Sequence, residues 1–180
     1  FTYTAASDIA TVEPANGQVG TVVTISGTNL RGNGANVTSV TLAGEDAEIN
    51  SESDTEVIVV AAASANKTGD VVVTSDTGAV AVLQTSFSYE SEGNITDVAP
   101  ASGQFGTEIV VSGTALRGYG GEVVSVTLGD AAANITSEND THVEIIAGAG
   151  PDDKEVVSIV LVADSGAITT SEDSFTYLVP

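Results

Sequence analysis

Phe87-Ser88-Tyr89 stands 86 residues after Phe1-Thr2-Tyr3, and Phe175-Thr176-Tyr177 follows 88 residues later. A signature that returns at a near-constant interval marks internal repetition, and such a chain folds as a series of like modules rather than as one body. Sliding residues 9–60 onto 95–146 needs no gap and leaves 27 of 52 positions identical. Pro14-Ala15-Asn16-Gly17-Gln18-Val19-Gly20-Thr21 meets Pro100-Ala101-Ser102-Gly103-Gln104-Phe105-Gly106-Thr107, and Leu30-Arg31-Gly32 meets Leu116-Arg117-Gly118. Beyond residue 60 the second copy gains two residues between Gly150 and Val157, then resumes with Asp76-Thr77-Gly78 on Asp164-Ser165-Gly166. An insertion that spares its flanks belongs in a surface loop. The expected organisation is the closing end of a preceding repeat at 1–4, repeats at 5–90 and 91–178, and the start of a further linker at 179–180.

Each repeat is under 90 residues, enough for one small domain with its own core. Val, Ile, Thr, Ser, Ala and Gly dominate, a β-rich vocabulary with glycine at the turns. Comparing the copies separates inside from outside. Val22 becomes Glu108 while Val23 and Ile25 become Ile109 and Val111, so the latter two face the core. Ile58 becomes Glu144, so Val57 and Val59 point inward with Val143 and Ile145. Seven strands are expected in the first copy, at about 8–13, 20–29, 37–43, 47–51, 56–62, 70–75 and 79–89. No stretch carries a helical period. The fold class is all-β, two tandem β-sandwiches. An odd number of antiparallel strands puts the termini of each at opposite ends. With only Glu90-Ser91-Glu92-Gly93-Asn94 between Tyr89 and Ile95, an end-to-end rod follows as the expectation.

The pattern Ile-x-x-Val-x-Pro-x-x-Gly-x-x-Gly-Thr-x-(Val/Ile)-x-(Ile/Val)-x-Gly-Thr-x-Leu stands at 9–30 and again at 95–116, with Phe-x-Tyr closing each copy. It resembles the IPT/TIG immunoglobulin-like domain over nearly the whole chain. The resemblance implies an Ig-like sandwich of the kind found in plexin ectodomains and in tandem in large surface proteins. It implies no shared catalytic residues. Rel-like members of that family contact DNA through basic loops, which this chain lacks.

The formal charge is −21, from 25 acidic residues against Arg31, Arg117, Lys67 and Lys154. Phosphate binding needs clustered Lys and Arg, so nucleic acid is not a partner, and anionic membrane surfaces are disfavoured for the same reason. No apolar run approaches the roughly 20 residues of a membrane span. The chain has no cysteine, hence neither disulfide nor thiolate metal site.

No catalytic set and no cofactor motif is expected. The single histidine, His142, aligns with Glu56 and reads as a solvated strand residue. The acidic runs Glu45-Asp46-Ala47-Glu48, Glu52-Ser53-Asp54, Glu138-Asn139-Asp140 and Asp152-Asp153-Lys154-Glu155 are the places for a loose calcium site, but none matches a known calcium-loop pattern. Five of the nine asparagines, Asn36, Asn66, Asn94, Asn134 and Asn139, open Asn-x-Thr sequons and are candidate N-glycosylation sites. Phe105 and Tyr119 replace Val19 and Asn33 in loops of the second copy and are candidate contact residues for a glycan or receptor. Arg31 and Arg117, equivalent in the two copies, are candidates for an ion pair or carbonyl clamp, or else for an interface. The functional expectation is a non-catalytic structural or adhesive spacer of an extracellular array, a stalk or filament component whose partners are other repeats. The alternatives are a glycan- or receptor-binding module, or an accessory domain of a glycan-processing enzyme.

Overall fold

The structure is a computed structural model and describes residues 5–151 and 154–178. The chain divides into two units, the first ending at Ser91 and the second beginning at Glu92. The first Phe-x-Tyr and the expected segments 1–4 and 179–180 lie outside the described residues. Among the described residues there is no helix, and so none long and apolar enough to cross a membrane.

Unit 1 contains β1 (Asp8–Glu13), β2 (Asn16–Gly17), β3 (Val22–Thr28), β4 (Val37–Leu42), β5 (Glu45–Glu52), β6 (Glu56–Val60), β7 (Lys67–Ser75) and β8 (Val80–Tyr89). Their order across the sheet is β1-β3-β6-β5-β4-β7-β8-β2. β5 turns one sheet into two packed layers. Its first residues pair with β4, from Leu42↔Glu45 to Val40↔Ala47, and its later ones with β6, from Glu48↔Val60 to Glu52↔Val57. A strand that changes partners half-way forms the corner of a sandwich. Unit 2 repeats the arrangement with β9 (Asn94–Ala99), β10 (Ser102–Gly103), β11 (Glu108–Thr114), β12 (Val123–Leu128), β13 (Ala131–Glu138), β14 (His142–Ile146), β15 (Glu155–Ala163) and β16 (Ile168–Tyr177).

Each unit therefore has eight strands where seven were expected. The addition is the two-residue β2, too short to carry any period. β5 and β7 also begin earlier than the alternation of apolar residues signals, since Glu45-Asp46 and Lys67-Thr68 join their ladders with polar side chains that carry no apolar period. The two extra residues of unit 2 fall in the β14–β15 loop.

Alternation fills the core. Val23, Ile25, Val57, Val59, Val71 and Phe87 are fully enclosed in unit 1, and Val111, Val143, Ile159, Leu161 and Phe175 in unit 2. The two cores share no residue. Phe87 and Tyr89 stand edge to face with centroids 5.1 Å apart, and Phe175 and Tyr177 at 5.2 Å. β1 can lie close on β3 because Gly27 has no side chain. A Cβ there would come within 2.2 Å of the Asp8 carbonyl oxygen, and one on Gly113 within 2.2 Å of that of Asn94.

Asp8 lies opposite Thr28 in an antiparallel pair, whereas Gly17 lies beside Tyr89 in a parallel one. The first and last strands thus run the same way. The chain enters a unit at the pole of loops 29–36, 53–55 and 76–79 and leaves at the opposite pole.

Candidate functional site

A polar constellation built on one arginine sits at the entry pole of each unit, where the loop after β3 meets the β5–β6 turn. Arg31 Nε donates to Glu52 Oε2 at 2.9 Å and Nη2 donates to Oε1 at 3.0 Å, a two-pronged pair in which guanidinium and carboxylate geometries match. Nη2 also reaches the Glu52 carbonyl at 3.2 Å. The same carboxylate accepts the Val37 N–H at 3.2 Å, and Asp54 Oδ1 accepts the Arg31 N–H at 3.2 Å. One arginine thus joins the loop, the switching strand and the start of β4. In unit 2, Arg117 Nε donates to Glu138 Oε2 at 2.9 Å and Nη2 to Oε1 at 2.7 Å, while Val123 N–H reaches Oε2 at 3.1 Å. The hydrogen bond from Arg31 holds the Glu52 carboxyl below the usual range against the opposing effect of burial, and Arg117 does the same for Glu138. Both arginines are raised in turn by these partners.

Within the 52 aligned positions only three charged residues are identical between copies, Arg31, Glu52 and Asp54 with their counterparts Arg117, Glu138 and Asp140. The structure brings all three together. Glu52-Ser53-Asp54 and Glu138-Asn139-Asp140, which read from sequence as acidic runs open to calcium, spend their carboxylates on the arginine clamp and its loop. That was the sequence signal for Glu52 and Glu138, and it lay in the alignment of the copies rather than in either run alone.

Of the other acidic runs, Glu45 pairs with Lys67 at the exit pole. Asp152 and Asp153 lie outside the described residues. Among the described residues no three His, Asp or Glu side chains gather to hold a metal ion. An open cleft of about 550 Å³ on unit 2, bordered by Asp130, Gly150, Glu155, Val156 and Asp173, carries no such group.

Phe105 and Tyr119 are exposed, at 73% and 46%. They stand at the two ends of β11, whose seven residues span roughly 20 Å at about 3.3 Å each. Each therefore belongs to a different pole, and the structure does not bring the two together. His142 opens β14 on the surface, its Nδ1 2.9 Å from Thr141 Oγ1. Asn139 Oδ1 accepts from Thr141 N–H, Thr141 Oγ1 and His142 N–H, so this corner is a turn built on an asparagine. Asn36, Asn66, Asn94, Asn134 and Asn139 are all exposed. The Asn66 amide donates to Ser91 Oγ at 3.0 Å.

The IPT/TIG domain model matches the chain at residues 7–89 and again at 94–177. The chain belongs to the IPT/TIG family. Among solved structures, this pair of IPT/TIG domains is similar to the full extracellular region of plexin A4, with a TM-score of 0.59 at 16% identity, covering 99% of this chain and 16% of that one. A second plexin A4 extracellular structure gives 0.52 at 16% identity, covering 98% and 18%. SGBP-B from a xyloglucan utilization locus of Bacteroides uniformis aligns at 0.39 and 19% identity, covering 95% of this chain and 49% of that one. At these identities the likeness to plexin is one of fold. No curated protein sequence matches the chain.

Proposed function

We propose that these IPT/TIG domains act as a non-catalytic spacer in an extracellular or cell-surface array, serving by length and stiffness. The observation that carries this reading is the path of the chain through each unit, in at one pole and out at the other. A module threaded that way adds its own length to whatever it joins. Its best-kept features serve that role. The core is nearly the same in both copies, and the only charged residues kept between the aligned segments fasten a loop to the framework. Partners are then other repeats, by homotypic lateral or filament contacts.

Small-angle scattering of the native chain tests the proposal. The maximum dimension of the two-unit chain should approach twice that of one unit. A compact, near-spherical particle for the pair would defeat it.

A second reading, glycan or receptor binding, is favoured by one observation, the 73% exposure of Phe105. Affinity electrophoresis against soluble polysaccharides separates the two. Retardation abolished by Phe105→Ala supports binding, and unretarded migration leaves the spacer.

A further inference from the structure

The second and last strands of each unit meet in a short parallel patch, and the orientation of that patch decides how the unit responds to tension. We infer that it is a load-bearing clamp, through which a pull on the chain ends is met in shear. The inference deepens the spacer reading and rests on it.

In unit 1, Asn16 and Gly17 pair in parallel with Ser88 and Tyr89. The Ser88 N–H donates to the Ala15 carbonyl at 2.9 Å, and the Glu90 N–H to the Gly17 carbonyl at 2.8 Å. Unit 2 repeats this, with Thr176 N–H on the Ala101 carbonyl at 3.0 Å and Leu178 N–H on the Gly103 carbonyl at 2.7 Å. Tension arriving at Asp8 and leaving beyond Tyr89 draws β1 and β2 toward one pole and β8 toward the other. The hydrogen bonds cross between strands, so sliding two parallel strands past one another strains all of them together. β1 is also held against β3 from Asp8↔Thr28 to Glu13↔Thr24, with one irregularity between Ile9 and Thr11, and a lengthwise pull on its leading end shears that ladder too. A hairpin pulled apart at its open end instead surrenders its bonds one at a time.

Both sides of the patch are fixed in place. The Gln18 N–H donates to Thr21 Oγ1 at 3.0 Å, as Gln104 N–H does to Thr107 Oγ1 at 2.9 Å. The β2 backbone lies flush on that threonine, since a Cβ on Gly17 would stand 2.5 Å from Thr21 Oγ1. On the other side, Phe87 and Tyr89 bracket Ser88 and are 0% and 2% exposed. Phe-x-Tyr, the signature that defines the repeat, is thus the anchor of the strand through which load leaves each domain.

The chain has no cysteine, so attachment points can be placed singly. Unit 1 within the full chain is pulled through Ala6→Cys with Ser91→Cys, and separately through Ala65→Cys with Ser91→Cys. The first pair shears β2 from β8; the second, with both points at the exit pole, peels β8 from β7. At one loading rate the first geometry should unfold at the clearly higher force. Equal forces, or a higher force in the second, would overturn the inference. Glu90→Pro removes the donor to the Gly17 carbonyl. With that chain pulled by its ends, one of the two unfolding events should accelerate about two- to tenfold at fixed load, the effect of one hydrogen bond on the barrier. The other event should keep its rate; unchanged rates for both would also overturn the clamp. Should Glu90→Pro fail to fold, the comparison of pulling directions decides alone. A compact particle in scattering would remove the spacer reading and leave the dependence on direction intact, so the two ideas fail separately.

Discussion

Truncating Phe87 to alanine should unfold one domain of this chain and leave the other standing. Phe87 is fully enclosed, between the two layers of unit 1 and edge-on to Tyr89. Removing a buried phenylalanine ring costs about 3–5 kcal/mol, the lost transfer of the ring plus the cavity it leaves. Within that sum, the edge-to-face contact with Tyr89 contributes about 0.5–1.5 kcal/mol. The domain match spans residues 7–89, and at about 0.05–0.15 kcal/mol per residue a unit of that size has roughly 4–12 kcal/mol to lose. The substitution therefore takes unit 1 to the margin of stability or past it.

The second unit is an internal reference, because no side chain is common to the two cores. Urea titration followed by hydrogen exchange and mass spectrometry resolves them, since peptides from either side of the 91/92 boundary report separately. At about 1 kcal/mol per molar urea, a value for small domains, the midpoint of unit 1 should fall by several molar. That of unit 2 should stay where it is. A shift shared by both units would show that they unfold as one cooperative body. A loss in unit 1 under about 1 kcal/mol would show that the ring is not a cornerstone of the core.

The Arg31–Glu52 and Arg117–Glu138 pairs give the acid limb of stability a definite sign. Each carboxyl has a folded pKa below its ordinary value, so its contribution is full above that value and lost as pH falls through the depressed one. Arg31→Met should flatten this acid-side loss in unit 1 alone, read from melting temperature against pH, and an unaltered profile would mean the pair does not titrate with folding. Tyr177→Phe should cost about 0.5–1.5 kcal/mol by deleting the hydrogen bond from its hydroxyl to the Gly148 carbonyl at 3.2 Å. Tyr89→Phe should cost less, because the buried Tyr89 hydroxyl has only the Ala62 backbone beside it and makes no well-formed hydrogen bond; denaturant midpoints of the two variants check the contrast. At a charge of −21, any self-assembly of the chain should strengthen with NaCl or Ca²⁺, and particle size indifferent to both would point to an apolar or covalent contact.

Much of this architecture is legible in the residues because the chain carries its own control, the second copy. Where Val22 turns into Glu108 and Ile58 into Glu144, the outer face declares itself, and the burial of Val23, Ile25, Val57 and Val59 follows. What escapes is whatever depends on backbone pairing alone. β2 is two residues long and holds by main-chain bonds to β8. The first half of β5 is acidic and exposed enough to look like a loop, although its backbone forms the corner of the sandwich. The arginine clamp was half legible. Arg31 and Arg117 drew notice as rare positive charges, but Glu52 was hidden among many acids and became distinctive only as one of three charges kept between copies. Phe105 and Tyr119 stand out in the alignment as aromatic replacements, but which pole each loop occupies follows only from the seven residues of β11 that part them.

The distribution of what the two copies keep argues for the mechanical role more closely than the fold does. Loop positions such as Val19/Phe105 and Asn33/Tyr119 differ, and the Lys67–Glu45 pair of unit 1 has no counterpart at Glu155 and Ala131. Among the kept residues are Gly17 and Thr21, which seat β2, Gly27, which lets β1 lie against β3, and the Arg31–Glu52 pair, which ties the entry loop to the switching strand. To these the Phe-x-Tyr of β8 and β16 is added. Each of them acts where the chain enters a domain or where it leaves. Selection on a spacer falls on these junctions, because a force transmitted along a chain is felt first at the strands that connect to it.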